Sequence, residues 1–375
     1  MKHKENFRFW RGALFSLSAF AIYVFLIIPF VHGITAPDRI VLTPSEYASR
    51  ADVSPENLTS SDSNSEKYIT VKLLGFIPIK KVVVDILPFD TIIVGGMPIG
   101  IMGQIDGLLV TADTPDNVLQ KGDIIRTIDG QTMQNTQDFQ TATADKTQVD
   151  VTLLRNGTKL KRRLQLDQTL NLRDTTNGVG ILTFINPENN QFSALGHQMT
   201  DFETGANVDL CGGEIRTVKT YGIIKTQGKQ TGVLQSSIQQ NTPVQGSITQ
   251  GTSFGISGCL TPDSSILTMA DTTMPVATRY YVRPGKATLR TSLDGTTIEE
   301  FDCEIVKTRY QNRRNDKSMV IRVTDPRLLN ATGGIVHGMS GSPIIQNGHL
   351  VGTLTHAMTH DPAKGYALYI DFITY

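Results

Sequence analysis

From about residue 175 onward the chain is written in short apolar runs. "GVGILTFI", "GIIKTQ", "ATLRTSL", "FDCEIVKTRY", "KSMVIRVTD" and "HLVGTLTHAM" follow one another, each rich in Val, Ile, Thr or Leu and bounded by Gly, Asn or Asp. Such runs are too short to carry a helical apolar period, and β-branched side chains suit a pleated surface. Almost two hundred residues of this kind, with few long helical periods, predict a mainly β structure built as a barrel or a pair of barrels. Asp129-Gly130, Asn156-Gly157 and Asn347-Gly348 are hairpin turns by their residue types, because both central positions of a tight hairpin want positive φ. No fixed-period repeat is present.

Charge and cysteine content narrow the function classes. The 375 residues carry 35 Lys+Arg and 35 Asp+Glu, a formal balance of zero. Nucleic acid is therefore not expected as a partner, since phosphate binding wants a basic surface. The three cysteines, Cys211, Cys259 and Cys303, form no C-x-x-C pair, so neither a zinc site nor a redox motif is expected, and the thiols read as buried and free. Residues 13–31, "ALFSLSAFAIYVFLIIPFV", run without a charge behind Lys2, Lys4, Arg8 and Arg11. The length approaches the roughly 20 residues of a membrane-spanning helix, and the positive flank keeps the N-terminus in the cytoplasm. A cleaved signal peptide has a shorter apolar stretch of about 7–15 residues and small residues at its end. An uncleaved anchor over residues 1–36, with the rest of the chain outside the cytoplasm, is the better reading.

Residues 43–68 are polar and rich in Ser, Asp and Asn, and read as a flexible linker (37–70) open to proteolysis. Residues 71–168 follow the order strand, glycine-rich stretch "GGMPIGI", strand "DGLLV", "DNVLQKGDIIRTIDGQTM", a helix over "TQDFQTATAD" and a closing hairpin. This order resembles a PDZ domain. The resemblance implies that Met97, Pro98, Ile99, Gly100 and Ile101 form a loop whose amides hold a C-terminal or internal peptide, which adds as a strand beside it.

The chemistry is concentrated in "GGIVHGMSGSPII", residues 333–345. A turn this crowded with glycine can present a hydroxyl, aim backbone amides at one point and leave room for a substrate. A serine hydroxyl needs a base, and histidine suits that work because its ordinary pKa, about 6.5, lies near working pH. Residues 338–343, Gly-Met-Ser-Gly-Ser-Pro, resemble the nucleophile loop of chymotrypsin-like peptidases. That match makes Ser340 the nucleophile, places the oxyanion on the amides of Gly338 and Ser340, and leaves Ser342 in a supporting role. It also implies that the strand after Asn347-Gly348 lines the specificity pocket, with Gly352 keeping that pocket open.

Of seven histidines, His197 in "FSALGHQMTD" is the candidate base. An apolar strand ends at Gly196 and hands the imidazole to a loop, and this resembles the "Ala-Ala-His" corner of the same peptidases. His337 stands too close to Ser340 in sequence to serve it and reads as structural or substrate-facing. His356 and His360 in "HAMTH" have the spacing of a helical zinc pair, but Ala357 replaces the glutamate and the context is β, so no metal is expected. A third group should orient the imidazole. Asp325, 15 residues before Ser340, and Asp201, just after His197, are the two candidates.

A narrower likeness selects between them. The anchor, linker and PDZ-like order, together with "RDTTNGVGILTF", "FSALGHQMTD" and "VTDPRLLNATGGIVHGMSGSPIIQNG", resemble the stage IV sporulation protein B family of serine peptidases. The likeness implies a His–Asp–Ser triad of His197, Asp325 and Ser340 in a chymotrypsin-like double β-barrel (169–375), with no cofactor. It further implies a forespore membrane protein that cuts itself near the N-terminus and is released into the space between forespore and mother cell. There it would cleave a membrane-bound regulator of an intramembrane protease, so that a late sigma factor matures. A non-catalytic PDZ-bearing signalling protein is the competing class, and a fluorophosphonate probe separates the two. In quality-control proteases of the HtrA group the PDZ domain follows the catalytic domain, whereas here it precedes it.

Overall fold

The computed structural model describes residues 37–51, 67–73, 76–270, 272–309, 311 and 313–373. The expected anchor and residues 52–66 of the expected self-cleavage linker lie outside the described residues. Among the described residues no helix is long and apolar enough to cross a membrane. Contacts divide the chain into two units that meet between Asp90 and Thr91.

In the first unit, strand Ile77–Ile86 is central, with Arg39–Leu42 parallel on one side and Lys67–Leu73 antiparallel on the other. Ile40, Leu42, Val82, Val84 and Leu87 form its buried face, joined by Tyr47 from the helix Pro44–Ala51. That helix occupies the start of the stretch read above as linker. The reason is "TPSE": the Thr43 hydroxyl accepts from the Glu46 amide at 3.1 Å, and the Glu46 carboxylate accepts from the Thr43 amide at 2.9 Å. This reciprocal cap satisfies two amides, and Pro44 loses nothing in the first turn.

The second unit holds two closed barrels. In the first, Pro98–Val110 pairs with Leu172–Ile185, which pairs with Gln191–Ala194, then Gly255–Leu260, Gly246–Thr252 and Leu210–Arg216, which returns to Pro98–Val110. Ile99, Ile101, Ile105, Leu182, Phe192, Leu210, Ile215 and Ile256 fill it. In the second, Gly285–Thr291, Glu299–Thr308, Met319–Val323, Lys364–Tyr369, His349–Ala357 and Pro343–Gln346 close on themselves around Leu289, Phe301, Ile321, Leu354 and Tyr369. The double β-barrel expected from the strand pattern is present.

The expected division at residue 168 is corrected. The first barrel takes the strand Pro98–Val110 from well before that point. Residues 111–171 are an insertion between two neighbouring barrel strands. They contain Ile124–Ile128, Gln131–Thr132, the helix Thr136–Thr143, Gln148–Arg155 and Thr158–Gln165. The insertion has its own core of Leu119, Ile125, Ile128, Met133, Val151, Leu153 and Leu164, to which the far end of the shared strand contributes Leu108 and Val110. Asn135 caps its helix reciprocally with Asp138. All three expected Asx-Gly hairpins form, with positive φ at Asp129 and Gly130, at Asn156 and Gly157, and at Asn347 and Gly348. A hairpin of Val218–Ile224 and Val233–Ile238 joins neither barrel's sheet, but its Leu234 and Ile223 pack against the core of the second barrel.

The three cysteines are unpaired, but only Cys303 is buried; Cys211 is exposed. Burial pushes the Cys303 thiol up to about 12.

Candidate active site

The glycine-rich loop of residues 338–342 belongs to the second barrel and docks on the first. The Ile181 amide donates to the Ser340 carbonyl at 2.8 Å, the Thr183 hydroxyl to the Gly341 carbonyl at 2.9 Å, and the Gly341 amide to the Leu354 carbonyl at 2.9 Å. Gly341 has φ +98°, and a Cβ there would stand 2.0 Å from the Ile181 carbonyl oxygen, so this position admits glycine alone. The turn tightens further where Ser342 donates through its hydroxyl to Met339 O at 2.6 Å. Ser342 is fully buried.

Within that frame the amides of Gly338 and Ser340 donate to no hydrogen-bond partner among the described residues. Free amides on a fixed glycine turn are what an oxyanion requires. Ser340 is half-buried, and its hydroxyl donates to the Thr355 carbonyl at 2.9 Å.

His197 reaches the same junction from the end of Gln191–Ala194. Its ring centroid is 4.9 Å from that of His356, the residue after Thr355. Its Nδ1 lies 2.7 Å from the Gln198 carbonyl. A carbonyl can only accept, so Nδ1 carries the proton and Nε2 holds the lone pair, the tautomer a general base needs. Burial pushes the imidazole down to about 4, opposed by the Gln198 bond. At neutral pH it is unprotonated.

The structure brings Ser340 and His197 to one junction, with no hydrogen bond between them among the described residues, and it gives Asp325 other partners. Asp325 caps the helix Pro326–Thr332 and accepts from the Arg327 amide at 2.8 Å. The Arg327 guanidinium grips both its oxygens at 3.2 and 2.8 Å, and the Asp302 amide adds 3.2 Å. These donors, Arg327 first, hold the carboxyl down to about 2. The rival Asp201 is equally committed, to Arg173, Thr176 and Thr204. The carboxylate facing the two imidazoles is Asp316, whose Oδ2 lies 3.8 Å from His356 Nδ1. Neither Asp316 nor His356 was singled out as a functional residue from the sequence: Asp316 sits in the polar run "RRNDKS", and His356 drew notice only for a metal spacing.

Two further expectations are corrected. Met97, Pro98, Ile99, Gly100 and Ile101 do not form an open peptide-binding loop. From Pro98 they are barrel strand, bonded to Leu172–Ile185 on one edge and Leu210–Arg216 on the other, and Met97, Ile99 and Ile101 are buried. Both edges being used, no peptide can add there. Gly352 does not open a pocket: a Cβ there would meet the Leu368 carbonyl oxygen at 2.3 Å and Met319 Cε at 2.5 Å, so it allows two strands to pack closely. His337 is exposed, and its backbone bridges to Val233 of the hairpin Val218–Ile224 and Val233–Ile238. No group of three or more His, Cys, Asp or Glu among the described residues is placed to hold a metal.

No curated protein matches the chain. Solved structures of the Rv3671c protease from M. tuberculosis are similar in part. Its active form shares 14% identity with TM-score 0.27, covering 53% of this chain and 71% of that one. The inactive form shares 14% with TM-score 0.26, covering 53% and 81%. The family described as SpoIVB peptidase S55 matches residues 165–374, more than half of the chain and both residues of the candidate serine–histidine pair. The chain therefore belongs to the SpoIVB peptidase S55 family and is a serine peptidase.

Proposed function

We propose that the chain is a membrane-tethered endopeptidase that frees itself by self-cleavage and signals during sporulation. Ser340 is the nucleophile, His197 its base, and the amides of Gly338 and Ser340 the oxyanion hole. The observation that carries this reading is the pair of unpartnered amides on a turn locked to the first barrel, beside an imidazole fixed in the base tautomer. In the reaction His197 Nε2 takes the hydroxyl proton as Oγ attacks the scissile carbonyl, and the developing oxyanion falls to the two amides. Ser340 must first give up its bond to Thr355.

Family resemblance makes Asp325 the third member of the triad. In the conformation described, Arg327 holds that carboxylate, so Asp325 serves His197 only after Arg327 lets go. The uncharged run at residues 13–31 supports an anchor in the forespore membrane, and the polar stretch 52–66 supports a cleavage site that releases the enzyme between the two membranes. The substrate class is then a membrane-bound regulator of an intramembrane protease, whose cleavage lets a late sigma factor mature. The inserted module, with its strand–turn order, capped helix and closing hairpin, supports a PDZ domain that governs when and where the enzyme cuts, through a surface other than Met97–Ile101. Mass spectrometry of the purified full-length chain beside Ser340→Ala tests the reading. Wild type loses its N-terminal segment and reacts with a fluorophosphonate, while the variant stays whole and unlabelled. A wild-type chain that does neither contradicts it.

A further inference from the structure

His356 sits where three features of the site meet. The carbonyl of its neighbour Thr355 accepts the Ser340 hydroxyl at 2.9 Å. Its ring is tilted 37° against His197 at a centroid distance of 4.9 Å. Its Nδ1 is buried with no hydrogen-bond partner among the described residues, while Asp316 Oδ2 stands 3.8 Å away. Asp316 is itself tied to the strand, because its backbone carbonyl accepts from the Thr355 hydroxyl at 2.9 Å. A buried ring nitrogen without a partner is costly, and a carboxylate less than about 1 Å beyond hydrogen-bond range is its natural acceptor.

We propose that His356, backed by Asp316, is a positioning residue of the peptidase: the pair supports the imidazolium that forms on His197 when it takes the proton of Ser340. This rests on the reading of Ser340 and His197 as nucleophile and base. The charges follow from the geometry. Two imidazoles this close cannot both be cations without repulsion, so His356 stays neutral while His197 is charged. With Nδ1–H directed to Asp316, His356 is held in one tautomer and the carboxylate's negative charge lies behind the ring that faces His197. The proton moves from Ser340 Oγ to His197 Nε2, and Asp316 and His356 neither gain nor lose one. The other groups that face the pair are His337, on the side of His197, and Lys317, beside His356; both oppose positive charge on their neighbour, and Asp316 is the group that favours it. This assigns the carboxylate support of the base, in the conformation described, to a residue pair outside the expected triad.

The test uses the full-length chain in detergent. Imidazole NMR titration in the Ser340→Ala background reads the ionisation of His197 directly, without any need for activity. Fluorophosphonate labelling against pH, in chains that keep Ser340, reads the reaction. Asp316→Asn keeps size and fold; it is expected to move His197 ionisation to lower pH and to slow labelling about 10-fold or more. Asp316→Glu restores much of both. His356→Phe keeps a ring against His197 and is expected to slow labelling and abolish the effect of Asp316→Asn. Wild-type titration and labelling in Asp316→Asn overturn the proposal, as does an Asp316→Asn shift that persists unchanged in the His356→Phe background. If the titration shifts as expected but wild type is never labelled, the coupling of the two imidazoles stands and the assignment of Ser340 as nucleophile falls.

Discussion

Three side chains, His197 and His356 at the site and Asp325 at its helix cap, are held away from their ordinary ionisation in ways that stability can read. His197, which ordinarily titrates near 6.5, stays neutral in the fold down to about 4, chiefly because it is buried. Between those values the unfolded chain binds a proton that the folded chain refuses. The stability contributed is therefore complete above about pH 6.5 and is lost as pH falls toward 4. His356, shifted in the same direction by burial, adds to this limb. Urea midpoints measured from pH 7 to pH 4 should fall, and His197→Gln should flatten part of the slope; an unchanged slope contradicts the buried neutral imidazole. Asp325 behaves differently. Its folded value of about 2 lies below the ordinary carboxylate value, so its contribution holds above about pH 4 and is lost only as pH falls through 2. Asp325→Ala removes a helix cap and is expected to cost about 1 kcal/mol at pH 7, read as a lower denaturation midpoint. A stability loss without any loss of fluorophosphonate labelling marks Asp325 as structural in this conformation, and loss of labelling in a stably folded variant restores it to the triad.

At the scale of elements, local chemistry was the most legible part. Each Asx-Gly pair became a hairpin because both central residues tolerate positive φ and leave the strands in matching twist. The hairpin at Asn347-Gly348 joins the nucleophile loop's strand, Pro343–Gln346, to His349–Ala357, which carries Thr355 and His356. Gly348 has φ +76° and nothing within 4 Å of a Cβ, so its substitution meets conformational strain with no clash. Gly348→Ala should lower stability by about 1 kcal/mol while leaving the labelling rate of Ser340 within about twofold. A larger loss of labelling shows that the turn transmits to the site. The junction of Ser340 and His197 was also legible, because glycine spacing and a strand-ending histidine are local patterns. Asp316 was not, since the approach of two side chains from distant segments leaves no mark on neighbouring residue types. Composition marks "TPSE" only as polar, whereas its Thr-x-x-Glu spacing is a helix-start signal that wins over composition.

The whole molecule was legible as two barrels and illegible in how the chain visits them. "GGMPIGIMGQIDGLLV" reads as a glycine-rich loop followed by a strand, yet its apolar residues Met97, Ile99, Ile101 and Ile105 all turn into one core. An insertion between adjacent strands leaves the periodicity on each side intact, so sequence order alone places the boundary after the inserted module. The consequence is testable by truncation. A chain beginning at residue 169 lacks Pro98–Val110, the strand that lies between Leu172–Ile185 and Leu210–Arg216, and the first barrel is left with two unpaired inner edges. Such a chain is expected to aggregate or to show no cooperative thermal unfolding, and to lack fluorophosphonate labelling. A chain of residues 91–375 keeps both barrels and the module; it should unfold in one cooperative transition and retain labelling. Loss of labelling is expected because Ser340 and Gly341 are fixed by Ile181 and Thr183, on the strand that the missing element would pair. Cooperative folding and full labelling of the 169–375 chain would show that the module and its strand form an independent domain and that the first barrel closes without them.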